Sequence, residues 1–211
     1  GLHSGEALWS HNAVLTMWLH SPSGLWSPRL ITSMPTLRIS QDNENYTHFL
    51  TLTVIEWIDI FTKQEYFQVI IDSLKYCRKN KGLLLYEYVI MTNHIHLLAQ
   101  ADENYKLSQI ISDFKKYTTR ETLKLLENDN RKYIKNLIKN SFSKKKGYDN
   151  QIWQRENYPE FVANEKFYLA KANYIHNNPI KKGYVGKPED WLYSSARNRI
   201  MDDDSIIELD E

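Results

Sequence analysis

From Tyr46 onward, hydrophobic and polar residues follow two rhythms, and the switches between them mark the elements. Residues 46 to 57, YTHFLTLTVIEW, alternate and are rich in β-branched and aromatic side chains, which predicts a strand. Over residues 63 to 80, Phe67, Ile70, Ile71, Leu74 and Cys77 recur at steps of three and four, predicting a helix that ends near Gly82. Residues 83 to 91 and 94 to 100 read as two strands joined at a Thr92-Asn93 corner. A second helix is expected over residues 108 to 127, with Leu107, Ile110, Ile111, Phe114, Tyr117 and Leu123 facing inward. Ile134, Leu137 and Ile138 suggest a short helix ahead of a Lys144-Lys145-Lys146-Gly147 loop. Residues 151 to 162 regain a strand-like pattern that Pro159 interrupts, so an edge strand is expected. The last long helix spans residues 165 to 178, because the residue before Pro179 is biased away from helical backbone. The order strand, helix, strand, strand, helix, strand, helix predicts an α+β sandwich, a mainly antiparallel sheet with helices packed on it.

Composition sharpens this picture in three places. At 211 residues, 42% hydrophobic and 25% charged, the chain can bury one proper core, with or without appendages. No run of eighteen apolar residues exists, so no membrane partner is expected, and the single Cys77 fits a reducing compartment, as a packed thiol. Six of the 26 acidic residues follow Met201, which leaves 27 Lys and Arg against 20 acids before them. The body is thus modestly basic, which permits a polyanionic partner, and the acidic tail over residues 201 to 211 is expected to fray. Residues 1 to 33 hold three of the six tryptophans and three of the seven histidines, yet only Glu6 and Arg29 are charged. They read as an atypical upstream or expression-derived extension before a start at Met34, with a signal peptide as the weaker alternative, and the domain proper is expected over residues 34 to 200.

Candidate chemistry centres on His94-Ile95-His96. On a strand both histidines project to one side, a preset imidazole pair for a metal. A lone pair of this kind is more often simply hydrogen-bonded. Tyr174 and Asn178 stand four apart and share a helix face: the amide offers a hard oxygen donor for Mg²⁺ or Mn²⁺, and the phenol an oxygen nucleophile. If that face meets the histidine strand, phosphoryl transfer needs little more.

Met91-Thr92-Asn93-His94-Ile95-His96-Leu97-Leu98, Trp153-Gln154, the stretch from Tyr174-Ile175-His176-Asn177-Asn178-Pro179 to Gly183, and Tyr193-Ser194-Ser195-Ala196 follow one another in an order that resembles the REP-associated tyrosine transposases, relatives of the single-tyrosine HUH transposases. The resemblance covers about residues 47 to 198. It implies a ferredoxin-like HUH endonuclease domain that cleaves and rejoins single-stranded DNA near short hairpins. It also implies His94, His96 and Asn178 as ligands of Mg²⁺ or Mn²⁺, and Tyr174 as the nucleophile that forms a 5′-phosphotyrosine. DNA in single-stranded or hairpin form is the implied partner, a homodimer is left open, and the implied setting is the bacterial cytoplasm at the nucleoid. Trp153 and Gln154 are read as structural, Tyr117 as core, Tyr158 as a base-stacking candidate or a substitute nucleophile, and His176 as structural or DNA-facing.

Thr92 stands where many relatives carry proline, which should loosen the corner without moving the ligands. Two other functions compete. One is a domesticated hairpin-DNA-binding protein that does not cut; the other is a metal-dependent hydrolase of small phosphoesters, for which Glu87 is the nearest candidate base.

Overall fold

The structure is a computed structural model, and it describes residues 18–20, 26–28, 39, 43–142 and 151–211. The chain divides into two compact units, Gly1–Thr36 and Leu37–Glu211. In the first, β1 (Trp18–His20) pairs antiparallel with β2 (Trp26–Pro28). The expected extension and the Met34 start otherwise fall outside the described residues, as does the Lys144–Gly147 loop.

The second unit is built on a sheet of β3 (His48–Thr53), β4 (Leu83–Ile90), β5 (His94–Ala101) and β6 (Glu160–Phe161), ordered β4-β5-β3-β6 with every pairing antiparallel. The fold is therefore α+β, a four-stranded antiparallel sheet with packed helices, as the hydrophobic rhythm predicts. On one face Leu50, Leu52, Ile95, Leu97, Leu85 and Ile90 form the main core with α1 (Gln64–Lys81) and α2 (Leu107–Asn128). On the other, Phe49, Val89 and Leu98 pack against Ala172 and Ile175 of α4 (Glu165–Lys181). β5 is buried on both faces at nearly every position, which its Ile95 and Leu97-Leu98-Ala99 suit, and its histidines lie within that burial. A bulge at Tyr86 lets Tyr86 and Glu87 both face α4 while Leu85 and Tyr88 stay in the main core.

Four expectations need correction. The last helix does not stop before Pro179 but runs to Lys181. Pro179 forfeits one backbone donor, yet it is buried with Ile175 and Asn178, and bonds from Lys182 N to Asn178 O and Tyr184 N to Pro179 O carry the chain on until Gly183, at φ 72°, ends it. The strand expected over residues 151 to 162 shrinks to β6, since Pro159 has no N–H and Tyr158 sits at φ 42°. Single bonds still hold the segment along β3: Ile55 N to Ile152 O, Gln154 N to Thr53 O and Thr51 N to Asn157 O. Tyr117 is exposed; the inner seat goes to Thr118, which accepts a 2.9 Å bond from Trp153 Nε1. The acidic tail is clasped rather than frayed. Ile207 is buried, Asp210 forms a bidentate pair with Arg78 (2.8 Å each) and Asp210 Oδ2 accepts from Leu85 N at 2.7 Å. The predicted short helix is α3 (Lys132–Phe142), and a further short helix, α5 (Ala196–Met201), precedes the tail.

Candidate active site

His94 and His96 lie on the α4 side of β5, opposite Thr53 and Thr51 of β3, with Val89 of β4 across from His96. Their ring centroids are 4.8 Å apart and both residues are only 4% exposed. A neighbouring side chain fixes the tautomer of His94. Asn93 Nδ2 donates to Trp57 O (3.1 Å) and Asp59 Oδ1 (2.9 Å), so Asn93 Oδ1 is the atom that meets His94 Nδ1 at 2.7 Å. An amide oxygen only accepts, hence His94 Nδ1 carries the proton and Nε2 keeps its lone pair. His96 Nδ1 meets Thr51 Oγ1 at 3.0 Å, its ring stacks on Phe49, and its Nε2 is buried without a hydrogen-bond partner.

Burial keeps both imidazoles neutral. It pulls His94 down to about 4, helped by the Lys182 charge and opposed by the Asn178 side chain and Asp59. It pulls His96 down to about 3, with His94 and Lys171 adding to the effect. Neutral imidazole is the form a metal requires.

The N-terminus of α4 is capped by Asn164, whose side chain accepts from Phe167 N, and the helix lays Tyr174 and Asn178 over the histidines. The Tyr174 ring meets His96 edge-on at 5.1 Å and Phe49 at 5.9 Å, with Lys181 Nζ 5.0 Å from its centroid, and it stays 39% exposed. Asn178 is buried, and its Oδ1 has no hydrogen-bond partner. Unpartnered polar atoms are costly in a packed interior, so the orphaned His96 Nε2 and Asn178 Oδ1 mark a place where a hard divalent cation fits. Among the described residues no group of three His, Cys, Asp or Glu side chains could hold a metal; beside the two imidazoles, the unpartnered oxygen at this point is the Asn178 amide.

Other sequence candidates fall elsewhere. His176 faces Glu87, with Nε2 2.8 Å from Glu87 Oε2 and 3.2 Å from Ser195 Oγ. Glu87 also accepts from Ser195 Oγ (2.6 Å) and Arg199 Nε (2.9 Å), so both carboxylate oxygens are committed and it is no base for the histidine site. Burial alone would raise the Glu87 carboxyl, but bonds from His176 and Ser195, with the His176 and Arg199 charges, hold it below the usual range. Trp153 is buried beneath α2 and bridges to Val54, a structural seat. Tyr158 is half-exposed beyond β3, and Cys77 is a buried thiol that desolvation pushes up to about 11. The Thr92 corner is not loose, because Thr92 Oγ1 donates to Asp59 and meets Tyr184 Oη at 3.1 Å. Sequence reading missed Thr51, Asn93 and Trp57; only strand register and the corner geometry bring them to the histidines.

Residues 44–178 match the family model for IS200-like transposases. The chain belongs to that family. A REP-associated tyrosine transposase named in Haemophilus influenzae is 34% identical over 109 residues, which cover 50% of this chain and 54% of that protein. The chain thus spans about half the length of this curated relative. A solved REP-associated tyrosine transposase, bound to a REP hairpin, superposes with a TM-score of 0.57 at 19% identity, covering 85% of this chain and 91% of that one, and shows the shared fold. Among the described residues no helix is long and apolar enough to cross a membrane.

This IS200-like transposase has a second feature, a cleft of about 1010 Å³ between α2 and α3. Lys116, Arg120, Lys124, Lys135, Lys139 and Arg155 line it beside Glu127, over a floor that includes Trp153 and Gln154. Lys115 at its edge donates to Gln154 O at 2.7 Å, and burial pulls its ammonium down to about 8. Part of this was readable: Lys116, Arg120 and Lys124 repeat every four residues and so share one face of α2.

Proposed function

We propose that this chain cuts and rejoins single-stranded DNA beside a hairpin through a covalent phosphotyrosine on Tyr174. In the forward step Tyr174 Oη attacks the scissile phosphorus and forms the new O–P bond. The P–O3′ bond breaks, and its electron pair stays on the 3′ oxygen, which takes up the proton lost by the phenol. The products are a 5′-phosphotyrosine and a free 3′-hydroxyl. Attack by a 3′-hydroxyl on that phosphotyrosine reverses the bonding and rejoins DNA without external energy. His94 Nε2, His96 Nε2 and Asn178 Oδ1 would hold Mg²⁺ or Mn²⁺. When bound, such an ion takes up charge on the nonbridging oxygens and fixes the phosphate's orientation. Asn93 holds His94 in the ligating tautomer, burial keeps both imidazoles neutral, and Lys181 adds a positive charge beside the phenol.

One observation carries the reading: two buried donor atoms lack any partner, one of them on an imidazole whose ring lies 5.1 Å from the Tyr174 ring. That tyrosine and histidine belong to one chain, which supports use of Tyr174 in cis. The cationic cleft suits a hairpin stem's phosphates, in keeping with the REP hairpin carried by the structural relative. Such a protein would work in the bacterial cytoplasm on exposed single strands.

The test is a denaturing gel with labelled hairpin DNA and Mg²⁺ or Mn²⁺. Wild-type protein should form an adduct that survives denaturation, and EDTA or Tyr174→Phe should abolish it. An adduct that persists in Tyr174→Phe would refute this assignment of the nucleophile.

A further inference from the structure

We infer that the Trp57 ring is the stacking platform for an unpaired base next to the scissile phosphate, an inference that rests on the single-strand reading above. The backbone at this point adopts a form that side chains resist: Glu56 (φ 50°) and Trp57 (φ 54°) are successive left-handed residues, and neither is glycine. Strain of this kind is retained where its surroundings hold a side chain in a useful place. Here they do. Trp57 N donates to Val54 O at 3.1 Å, and Trp57 O accepts from Asn93 Nδ2 at 3.1 Å. Asn93 therefore fixes two things at once, the His94 tautomer and the Trp57 backbone.

The result is an indole that stands 55% exposed, its centroid 5.6 Å from the His94 ring at an interplanar angle of 66°. The fold gains little from it: a large apolar ring left in solvent is not core, and its backbone geometry is unfavourable. An open aromatic face beside a phosphate-handling site matches what single-stranded nucleic acid requires, because every base has a face to stack and stacking tolerates any sequence. A base resting on Trp57 would hold its own phosphate within a nucleotide of the histidines. The ring thus serves to place the strand for attack, and does so without reading the base's edge.

A double-mutant cycle between ring and base tests this. Hairpin oligonucleotides with randomised single-stranded flanks are first selected by adduct formation with the wild-type protein. Each flanking base of the selected substrate is then removed in turn to leave an abasic sugar, and affinity is measured by fluorescence anisotropy in the Tyr174→Phe background, where no strand is cut. One abasic position should weaken binding about tenfold when Trp57 is present and have no effect with Trp57→Ala, with Trp57→Phe between them. Trp57→Gly, which relieves the backbone, should unfold at a temperature no lower than Trp57→Ala and bind as weakly. Purely additive losses, or no abasic position that depends on Trp57, overturn the inference. Wild-type protein that forms no adduct with the pool would remove the parent reading and this inference with it; an adduct without coupling removes the platform alone.

Discussion

Removing the His176 imidazole should slow adduct formation while leaving the grip on hairpin and metal intact. His176 lies two residues beyond Tyr174 on α4, and its Nε2 reaches Glu87 Oε2 at 2.8 Å. Glu87 is 3% exposed on β4 and is also held by Ser195 and Arg199, so it ties α4 to the sheet and to α5. In His176→Ala the carboxylate keeps those two partners and loses one charge-assisted bond, a cost of about 2 kcal/mol in urea unfolding. The apolar hold that remains on α4 comes from Ala172, Ile175 and Pro179 with the partly buried Tyr168, and without the polar tie the helix should settle less firmly over the histidines. A displacement near 1 Å in an in-line attack costs about a hundredfold in rate, which sets the scale for single-turnover adduct formation. Hairpin affinity by anisotropy and divalent-ion affinity by calorimetry should change little. Ser195→Ala loosens Glu87 from the other side and should cost similar stability with a smaller loss of rate. A His176→Ala protein that is destabilised as expected yet forms adduct at the wild-type rate would refute the anchoring argument.

Three further outcomes follow from the same geometry. Mg²⁺ or Mn²⁺ should raise the thermal unfolding midpoint of the wild-type protein, by about 2.7 kcal/mol of stabilisation at a hundred times the dissociation constant, and should not raise that of His96→Ala or Asn178→Ala; differential scanning calorimetry decides. Replacing Lys116, Arg120 and Lys124 by glutamine should lower the slope of log affinity against log salt for hairpin binding by about 2 to 3, at roughly 0.9 per phosphate contact, and an unchanged slope would place the stem elsewhere. Burial pushes the Asp210 carboxyl up, but Arg78 and the Leu85 N–H outweigh it and hold it below the usual range. Its stabilisation is therefore present above about pH 4, the ordinary unfolded-state value, and is lost as pH falls through the lower folded value. Wild-type stability in urea should accordingly fall more steeply than that of Asp210→Asn between pH 5 and pH 2.

What the sequence made legible was local. The two-residue spacing of His94 and His96 and the four-residue spacing of Tyr174 and Asn178 each specify a face without reference to the rest of the chain. The faces meet because β5 is buried on both sides, a property its apolar run displays. Contacts between distant segments were hidden. Arg78 meets Asp210 across 132 positions, and no periodicity near either residue signals it. Tyr117 was misread because the choice between it and Thr118 turns on where the Trp153 indole arrives. Local preference also misjudged Pro179, whose burial with Ile175 overrode the usual helix stop. The cleft needed α2 and α3 side by side before its charges became one surface.

The position of β5 between β4 and β3 divides labour between parts of differing stiffness. Its amides are laddered on both sides, so hydrogen exchange there should be among the slowest in the protein, and the imidazoles ride on its least deformable member. Tyr174 rides on a helix seated on one face only. Accommodating scissile strands of different bulk would therefore fall to the helix, with the histidine pair as the fixed reference against which the phenol is brought up.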